Sequence, residues 1–217
     1  MKYIDELKFA YHILTRPGTT AKRSMRAGAA LALYYKLSII PFLIFCAIGL
    51  LLANSLSSTL TPHMMLPFAS SLIPYLGSLA IIGSAILFFW ILIPISIAIN
   101  SLIYQLVGRF FLNSLKGNYD KTFTALTFGI FPTALFYWLV LVPVLNVFYI
   151  VVASIWAIVV QVIALSAQHK ITRLQAAGTI AATAVLVILV AVLLVAGIAT
   201  GVAGAFAHSG AMMGGAW

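Results

Sequence analysis

Residues 37–108 read LSIIPFLIFCAIGLLLANSLSSTLTPHMMLPFASSLIPYLGSLAIIGSAILFFWILIPISIAINSLIYQLVG, a stretch without a single Asp, Glu, Lys or Arg. The hydrocarbon core of a bilayer is about 30 Å thick, and one helix of about 20 apolar residues spans it. This run therefore has the length of two crossings and their connection. Two further uncharged runs follow, residues 122–169 and 174–217. The first again fits a pair of crossings, and the second fits one crossing and a tail. The sequence predicts an all-α, polytopic membrane protein, a bundle of five transmembrane helices.

The basic residues predict how this bundle is oriented. All twelve Lys and Arg residues lie in three clusters, before residue 37, within 109–121 and within 170–173. Basic residues concentrate in the short loops on the cytoplasmic side of a membrane, so each cluster is predicted to lie inside. An odd number of crossings then places the amino terminus inside and the carboxyl terminus outside.

The composition excludes several function classes. The chain is 64% hydrophobic and 7% charged, whereas soluble domains carry roughly 25% charged residues. The net charge of +9 comes from the rims of the predicted bundle and not from a basic stripe on a soluble segment. Membrane lipids, rather than nucleic acid, are therefore the expected partners. Cys46 is the only cysteine, so there is no disulfide framework.

The domain organisation follows from the same runs. Residues 1–29 are predicted to form a cytoplasmic, amphipathic and basic segment, with a short helix over 2–15. Residues 30–200 form the transmembrane domain, and residues 201–217 form an external tail rich in Gly and Ala that is flexible or lies on the surface. The five predicted spans are roughly 30–53, 77–107, 123–142, 147–168 and 176–200.

Prolines mark the expected irregularities. Pro41 is expected to kink the first span, because proline removes a backbone hydrogen bond. The connection over 54–72 is interpreted as an outer loop in the membrane interface. In the long second span, either the helix bends at Pro94 or its end turns along the inner surface. Residues 143–146 are interpreted as a tight outer turn between the third and fourth spans.

The side chains that membrane enzymes need are scarce. Asp5, Glu6 and Asp120 are the only carboxylates, and all three fall in predicted inner segments. An intramembrane protease of the aspartyl type needs two acids within the bilayer. The four His residues lie in termini or connections, away from the span centres. The chain is therefore predicted not to be an enzyme, and no cofactor and no metal site are expected.

Two more specific hypotheses, a metal site and an anion site, remain open beside simpler interpretations. His63 with Met64 and Met65, and His208 with Met212 and Met213, combine ligands that suit Cu(I). Met residues that fill apolar interfaces and solvated His residues explain these segments equally simply. Lys36, near the inner end of the first span, and Arg109 are candidate contacts for a lipid phosphate or another anion. The simpler interpretation of Lys36 is that its long side chain reaches the lipid headgroups from within the span.

Three segments in order resemble the Yip1-domain family over about residues 14–199. ILTRPGTTAKRSM (13–25) is similar to the family's entry segment. SLKGNYDKTFTALTFGIFPTALF (114–136) resembles its inner loop and third span. VPVLNVFYIVVASIWAIVVQVIALSAQHKITRLQAA (142–177) resembles its proline-marked turn, fourth span and short inner loop. The positions that carry the resemblance are Pro17, Gly117, Pro132, Pro143 and Trp156.

The resemblance implies a five-helix membrane protein without known enzymatic chemistry. Eukaryotic relatives act in vesicle traffic and associate with Rab-type GTPases and with each other, and they carry a long cytosolic amino-terminal segment. Here about thirty residues precede the first span, so association with a small GTPase is not expected. Short forms of this kind resemble prokaryotic members, which implies a multi-pass protein of the cytoplasmic membrane.

Two functions follow as hypotheses. The first is a non-catalytic membrane-organising or adaptor protein that acts through its bundle and basic loops, as a homo-oligomer or with other membrane proteins. The alternative is a small transporter or lipid-handling protein. In that case helices kinked at Pro41, Pro94 and Pro132 would open a path past Lys36 and Asn100.

Overall fold

The structure is a computed structural model, and every element in its described part is helical. The backbone is described for residues 3–22, 25–64 and 67–213, and the side chains within these ranges for residues 5–6, 8–22, 25–55, 76–198 and 200. Five helical stretches are long and apolar enough to cross a membrane. The prediction of an all-α, multi-pass membrane protein is therefore confirmed, and the orientation of the termini stays a prediction.

The helices follow one another with short connections. They are α1 (Tyr3–Thr15), α2 (Pro17–Thr20), α3 (Ala27–Met64), α4 (Pro67–Ile86), α5 (Ile93–Leu106), α6 (Tyr119–Phe136), α7 (Pro143–His169) and α8 (Arg173–Met213). A π-helical segment, Leu87–Leu92, joins α4 to α5, a second one, Val107–Phe111, extends α5, and a 3₁₀ turn, Tyr137–Leu141, follows α6. The candidate spans are Ala27–Ser55, Leu76–Phe111, Tyr119–Leu141, Pro143–His169 and Arg173–Ile198.

The second span runs as one helix whose turns widen just before Pro94. Proline has no N–H, so the carbonyl four residues earlier, that of Trp90, loses its helical partner. In a membrane each such group must be satisfied within the protein. The Tyr35 hydroxyl donates to the Trp90 carbonyl at 3.1 Å, and the Tyr34 hydroxyl donates to the neighbouring Phe89 carbonyl at 2.9 Å. Two tyrosines of α3 thus lock the first span to the irregular part of the second.

The bundle is built around α6, which packs against α3, α5 and α7. Its buried positions are mostly small residues, among them Thr124, Ala125 and Gly129. Small residues let helix backbones approach closely where lipid supplies no hydrophobic driving force between helices. The opposite case is α8, whose residues from 184 to 198 are all exposed.

A capping box opens α8. The Thr172 hydroxyl accepts the Gln175 N–H at 3.2 Å, and the Gln175 side-chain oxygen accepts the Thr172 N–H at 3.0 Å. This reciprocal pair satisfies two backbone donors that a helix start leaves without partners. The connection from α7 to α8 is short. Lys170, which ends α7, has the left-handed backbone conformation with φ 55°.

Three predicted connections differ from the structure. The interpretation of 54–72 as a loop is wrong, because α3 runs to Met64 and α4 begins at Pro67. Residues 201–213 of the predicted tail continue α8 as a helix. In and beside a membrane a helix satisfies its backbone polar groups internally, so it can continue through residues of low helix propensity. Residues 143–146 are not a turn but the first turn of α7, because proline suits the first helical position; the chain reverses at the extended residue Val142.

Candidate interaction site at the basic end of the bundle

A closed ring of hydrogen bonds joins α5, α6 and α7 at the end of the bundle where the basic clusters lie, hereafter the basic end. The Gly117 N–H donates to Nδ1 of His169 at 3.2 Å, and Nε2 of Gln105 donates to the Gly117 carbonyl at 2.8 Å. The Thr122 hydroxyl lies 3.0 Å from Nε2 of His169 and also donates to Oε1 of Gln105. We call these four residues the polar ring.

The directions of these bonds define the imidazole. Because Nδ1 of His169 accepts a backbone N–H, the neutral ring carries its proton on Nε2, which donates to Thr122. The Thr122 hydroxyl in turn donates to Gln105. Each side chain of the ring is thus both donor and acceptor, and such satisfied networks hold a buried region in one arrangement. The loop before α6 is therefore fixed to the ends of α5 and α7.

Gly117 is required by space and not by its backbone angles. A Cβ atom at this position would lie 2.7 Å from Nδ1 of His169 and 2.8 Å from Cδ of Lys121. Neither distance is compatible with a real side chain, so any larger residue would push the imidazole out of the polar ring. This gives a physical reason for a glycine at a position that carries the family resemblance.

The amino-terminal segment is tied to the same end. Nε2 of Gln168 on α7 donates to the Ala21 carbonyl at 2.6 Å. The Thr124 hydroxyl on α6 donates to the Met25 carbonyl at 3.0 Å. These bonds hold the connection between α2 and α3 against the bundle, and the hydroxyls of Ser114 and Thr179 lie 3.0 Å apart and tie α8 to the loop.

Two of the three carboxylates are used inside the protein. Oδ1 of Asp120 accepts the Ala27 N–H at 3.1 Å, which caps the start of α3. Oε1 of Glu6, on α1, lies 2.8 Å from Nζ of Lys36, on α3. The Glu6 side chain is 9% exposed and that of Lys36 is 51% exposed. This ion pair fastens the amphipathic helix to the first span.

Basic side chains surround this end with little opposing charge. In the residues that the structure describes, the pair of Glu6 and Lys36 is the only salt bridge. The exposed basic residues near the polar ring and the entry segment are Arg16, Lys22, Arg26, Arg109, Lys116, Lys170 and Arg173. The basic end is therefore a cross-linked surface with a large excess of positive charge.

The two residues predicted as anion contacts are not members of the polar ring. Lys36 lies beside Glu6, so an anion at Lys36 would compete with a carboxylate that the chain itself supplies. Arg109 is exposed in the π-helical segment that ends the second span. Its position is open to lipid headgroups.

The prolines and the tryptophan that carry the family resemblance take structural positions. Pro17 is buried at the start of α2, and Pro143 is the first residue of α7. Pro132 lies inside α6 and lines an apolar groove of about 150 Å³ together with Trp156 and Tyr149. Of these positions, the structure brings Pro132 and Trp156 together at this groove.

Two features of the site bear on the sequence predictions. The polar ring is not among the sites that the sequence analysis predicts. Polar side chains at the matching ends of three spans were the available signal. The Cu(I) hypothesis falls on side chains outside the described residues, and in the described part no three His, Cys, Asp or Glu side chains group as metal ligands.

Comparison with known proteins gives one family. The model of the Yip1 domain matches residues 11–214. No curated protein matches the chain, and no solved structure matches it. The match covers α2 to α8 and includes the polar ring.

Proposed function

The chain belongs to the Yip1 domain family, and we propose that it is a non-catalytic membrane-organising or adaptor protein that works through its basic end. In this proposal the exposed basic residues hold anionic lipid headgroups or an acidic surface of another membrane protein. The membrane would be the cytoplasmic membrane of a prokaryote, with the basic end inside. A small GTPase is not part of the proposal.

One observation carries this function: two of the three carboxylates are engaged in contacts within the protein, so little negative charge is left to offset the basic end. Asp120 caps α3, and Glu6 pairs with Lys36. Each basic residue near a membrane surface favours anionic headgroups by on the order of 1 kcal/mol. Because the polar ring fixes the loop, these charges are presented in one arrangement and need little ordering when a partner binds.

The lipid part is tested in nanodiscs that contain phosphatidylcholine and phosphatidylglycerol. Mass spectrometry of the lipids that stay bound gives the enrichment of phosphatidylglycerol. The triple variant Arg109→Gln, Lys116→Gln, Lys170→Gln should lose most of this enrichment, by about tenfold or more. The matched control Arg109→Lys, Lys116→Arg, Lys170→Arg keeps the charges and should keep the enrichment. Equal enrichment in both variants would contradict the proposal.

The adaptor part is tested in native membranes. Chemical cross-linking and affinity capture of the full chain should recover a second copy or another membrane protein in a defined stoichiometry, and the charge-removing variant should reduce the yield. A monomer without a partner would count against it. Labelling tags at the two ends from each side of the membrane checks that the basic end lies inside.

A small transporter or lipid-handling protein is the second candidate, and one observation favours it. Asn100 lines a polar cavity of about 200 Å³ within the bundle. Lys36 is not among the residues that line this cavity. Lipid or solute flux in reconstituted liposomes that is lost in Asn100→Leu would favour this candidate, and flux equal to that of protein-free liposomes would remove it.

A further inference from the structure

The polar cavity lies between α5, α6 and α7, inside the stretch that crosses the membrane. Its volume is about 200 Å³, and a water molecule in the liquid takes about 30 Å³. The cavity is half-open, so it communicates with the space beside the bundle. Its lining residues are Ser96, Ile97, Asn100, Tyr104, Leu126, Ile130 and Gln161.

Several polar groups at this cavity have no partner in the described part of the chain. Nδ2 of Asn100 donates to the carbonyl and the hydroxyl of Ser96, at 2.8 and 3.1 Å. Its Oδ1 has no donor there, and neither the Gln161 amide nor the Tyr104 hydroxyl makes a hydrogen bond to another described residue. Polar groups without partners are costly in hydrocarbon, so these groups are expected to meet a molecule that enters the cavity.

The position of the Gln161 side chain depends on a glycine of the neighbouring helix. A Cβ atom at Gly129 of α6 would lie 2.9 Å from Cδ of Gln161 and 3.0 Å from its Nε2. The amide can therefore cross the surface of α6 only because residue 129 has no side chain. Gly129 thus makes room for a polar group that has no partner in the described part of the chain, which indicates a binding site for a ligand.

The lining selects the chemistry of the ligand. No Asp, Glu, Lys, Arg or His is among the residues that line the cavity, so a charged group would find no counter-ion. Nε2 of Gln161 and the Tyr104 hydroxyl are donors that suit carbonyl oxygens, and Oδ1 of Asn100 is an acceptor that suits a hydroxyl. The ligand is therefore neutral and carries both carbonyl and hydroxyl oxygens.

The depth of the cavity indicates where the ligand comes from. Gln161 precedes the end of α7 at His169 by eight residues, which is about 12 Å along the helix at 1.5 Å per residue. That level is surrounded by the acyl chains of the bilayer. A molecule that reaches the cavity must therefore be dissolved in the membrane.

We propose that this cavity binds a neutral lipid of the diacylglycerol class. Its ester carbonyls would accept hydrogen bonds from Gln161 and Tyr104, its free hydroxyl would donate to Asn100, and its acyl chains would stay in the bilayer through the open side. The site is separate from the basic end and from the adaptor function proposed for that end, and it rests on the same cavity as the lipid-handling candidate.

Photolabelling in phosphatidylcholine nanodiscs tests the proposal. The probe is a diacylglycerol with a diazirine close to one ester, and mass spectrometry locates the adducts. We expect adducts on the residues that line the cavity, competed by unlabelled dioleoylglycerol. Gln161→Leu should reduce this labelling by about fivefold or more and Tyr104→Phe by about twofold, because each removes hydrogen bonds worth about 0.5–1.5 kcal/mol. Tyr35→Phe, which removes a hydroxyl elsewhere in the bundle, should leave it unchanged.

Three results would overturn the proposal. These are equal labelling of Gln161→Leu and the unaltered chain, equal labelling of the cavity by a phosphatidylcholine that carries the same diazirine chain, and adducts confined to the exposed residues of α8. Circular dichroism and gel filtration establish that the variants are folded. If Gln161→Leu does not fold, the comparison decides between Tyr104→Phe and Tyr35→Phe, and equal labelling of these two contradicts the site.

Discussion

The third and fifth spans are built on opposite rules. The span that contains α6 has the lowest mean hydropathy of the five, yet 50% of its most apolar stretch is buried in the protein. The span of α8 has the highest mean hydropathy, and only 6% of it is buried. In a soluble protein the more apolar helix would be the more buried one. Here lipid is the solvent, so the most apolar helix is the one that faces it.

The two helices differ in the size and polarity of their side chains. In α6 the buried Thr127 hydroxyl donates to the Phe123 carbonyl at 2.8 Å, so the polar atom is satisfied within its own helix. Close approach of small residues and satisfied polar atoms then hold α6 in place. From residue 184 onward, the large exposed side chains described in α8 are Val185, Leu186, Val187, Ile188, Leu189, Val190, Val192, Leu193, Leu194, Val195 and Ile198. The comparison predicts that equal substitutions will have unequal effects in the two helices.

The largest difference is expected between two glycines. Gly117→Ala, in the loop that leads into α6, should displace His169 and break the polar ring, at a cost of about 2–4 kcal/mol for the lost buried hydrogen bonds. Gly178→Ala in α8 meets no atom within 4 Å and should be neutral or stabilising by up to about 1 kcal/mol, because alanine favours a helix. Unfolding by SDS in mixed micelles, followed by circular dichroism, measures both. Equal free energies of unfolding would show that the polar ring does not hold the basic end.

A second pair compares packing inside the membrane. Ala125 on α6 is fully buried and Ala184 on α8 is exposed. Ala125→Leu should overfill the contacts of α6 and cost about 1–3 kcal/mol. Ala184→Leu adds one more apolar side chain to a surface that faces lipid and should have no measurable effect in the same assay. A destabilised Ala184→Leu variant would mean that α8 packs against protein, such as a second copy of the chain.

This inversion explains what the sequence could predict. The lengths of the uncharged runs indicate five spans, because hydrocarbon thickness alone sets that length. The lengths of these runs do not predict that residues 54–64 are helical. Ser, Thr and apolar residues at the membrane surface are compatible with both a loop and a helix. The glycines from Gly201 onward weaken a helix, whereas the alanines among them favour one, and no proline interrupts α8.

The site was harder to predict than the fold. Gly117 was indicated by the family resemblance, but its partners Gln105, Thr122 and His169 lie on three helices and share no local spacing. Which polar side chains meet depends on how each helix is rotated about its axis. This rotation is difficult to predict from one sequence when all faces of a helix are apolar, because no polar face marks the side that points away from lipid.

A third prediction concerns α1, which packs against α3 and α6. Glu6→Gln removes the ion pair with Lys36. Because Lys36 is half exposed, solvent screens the pair, and the loss should be at most about 1 kcal/mol. Limited proteolysis of inside-out vesicles should then release α1 faster. Asp5→Asn changes an exposed carboxylate on the same helix and should leave the rate unchanged. Equal rates for both variants would show that the ion pair does not fasten α1.

The smallest effects are expected where α7 meets α8, the joint between a packed helix and a bare one. Lys170 has a φ of 55°, a conformation that costs a residue with a side chain about 1 kcal/mol and costs glycine nothing. Lys170→Gly should therefore stabilise the protein by up to about 1 kcal/mol. Thr172→Gly, two residues later, removes the capping hydroxyl of α8 and should destabilise it by roughly a few tenths of a kcal/mol. If the connection does not constrain α8, both glycine variants will change the free energy of unfolding in the same direction. Opposite signs in the SDS assay would mean that the start of α8 is held in place, although most of the helix faces lipid.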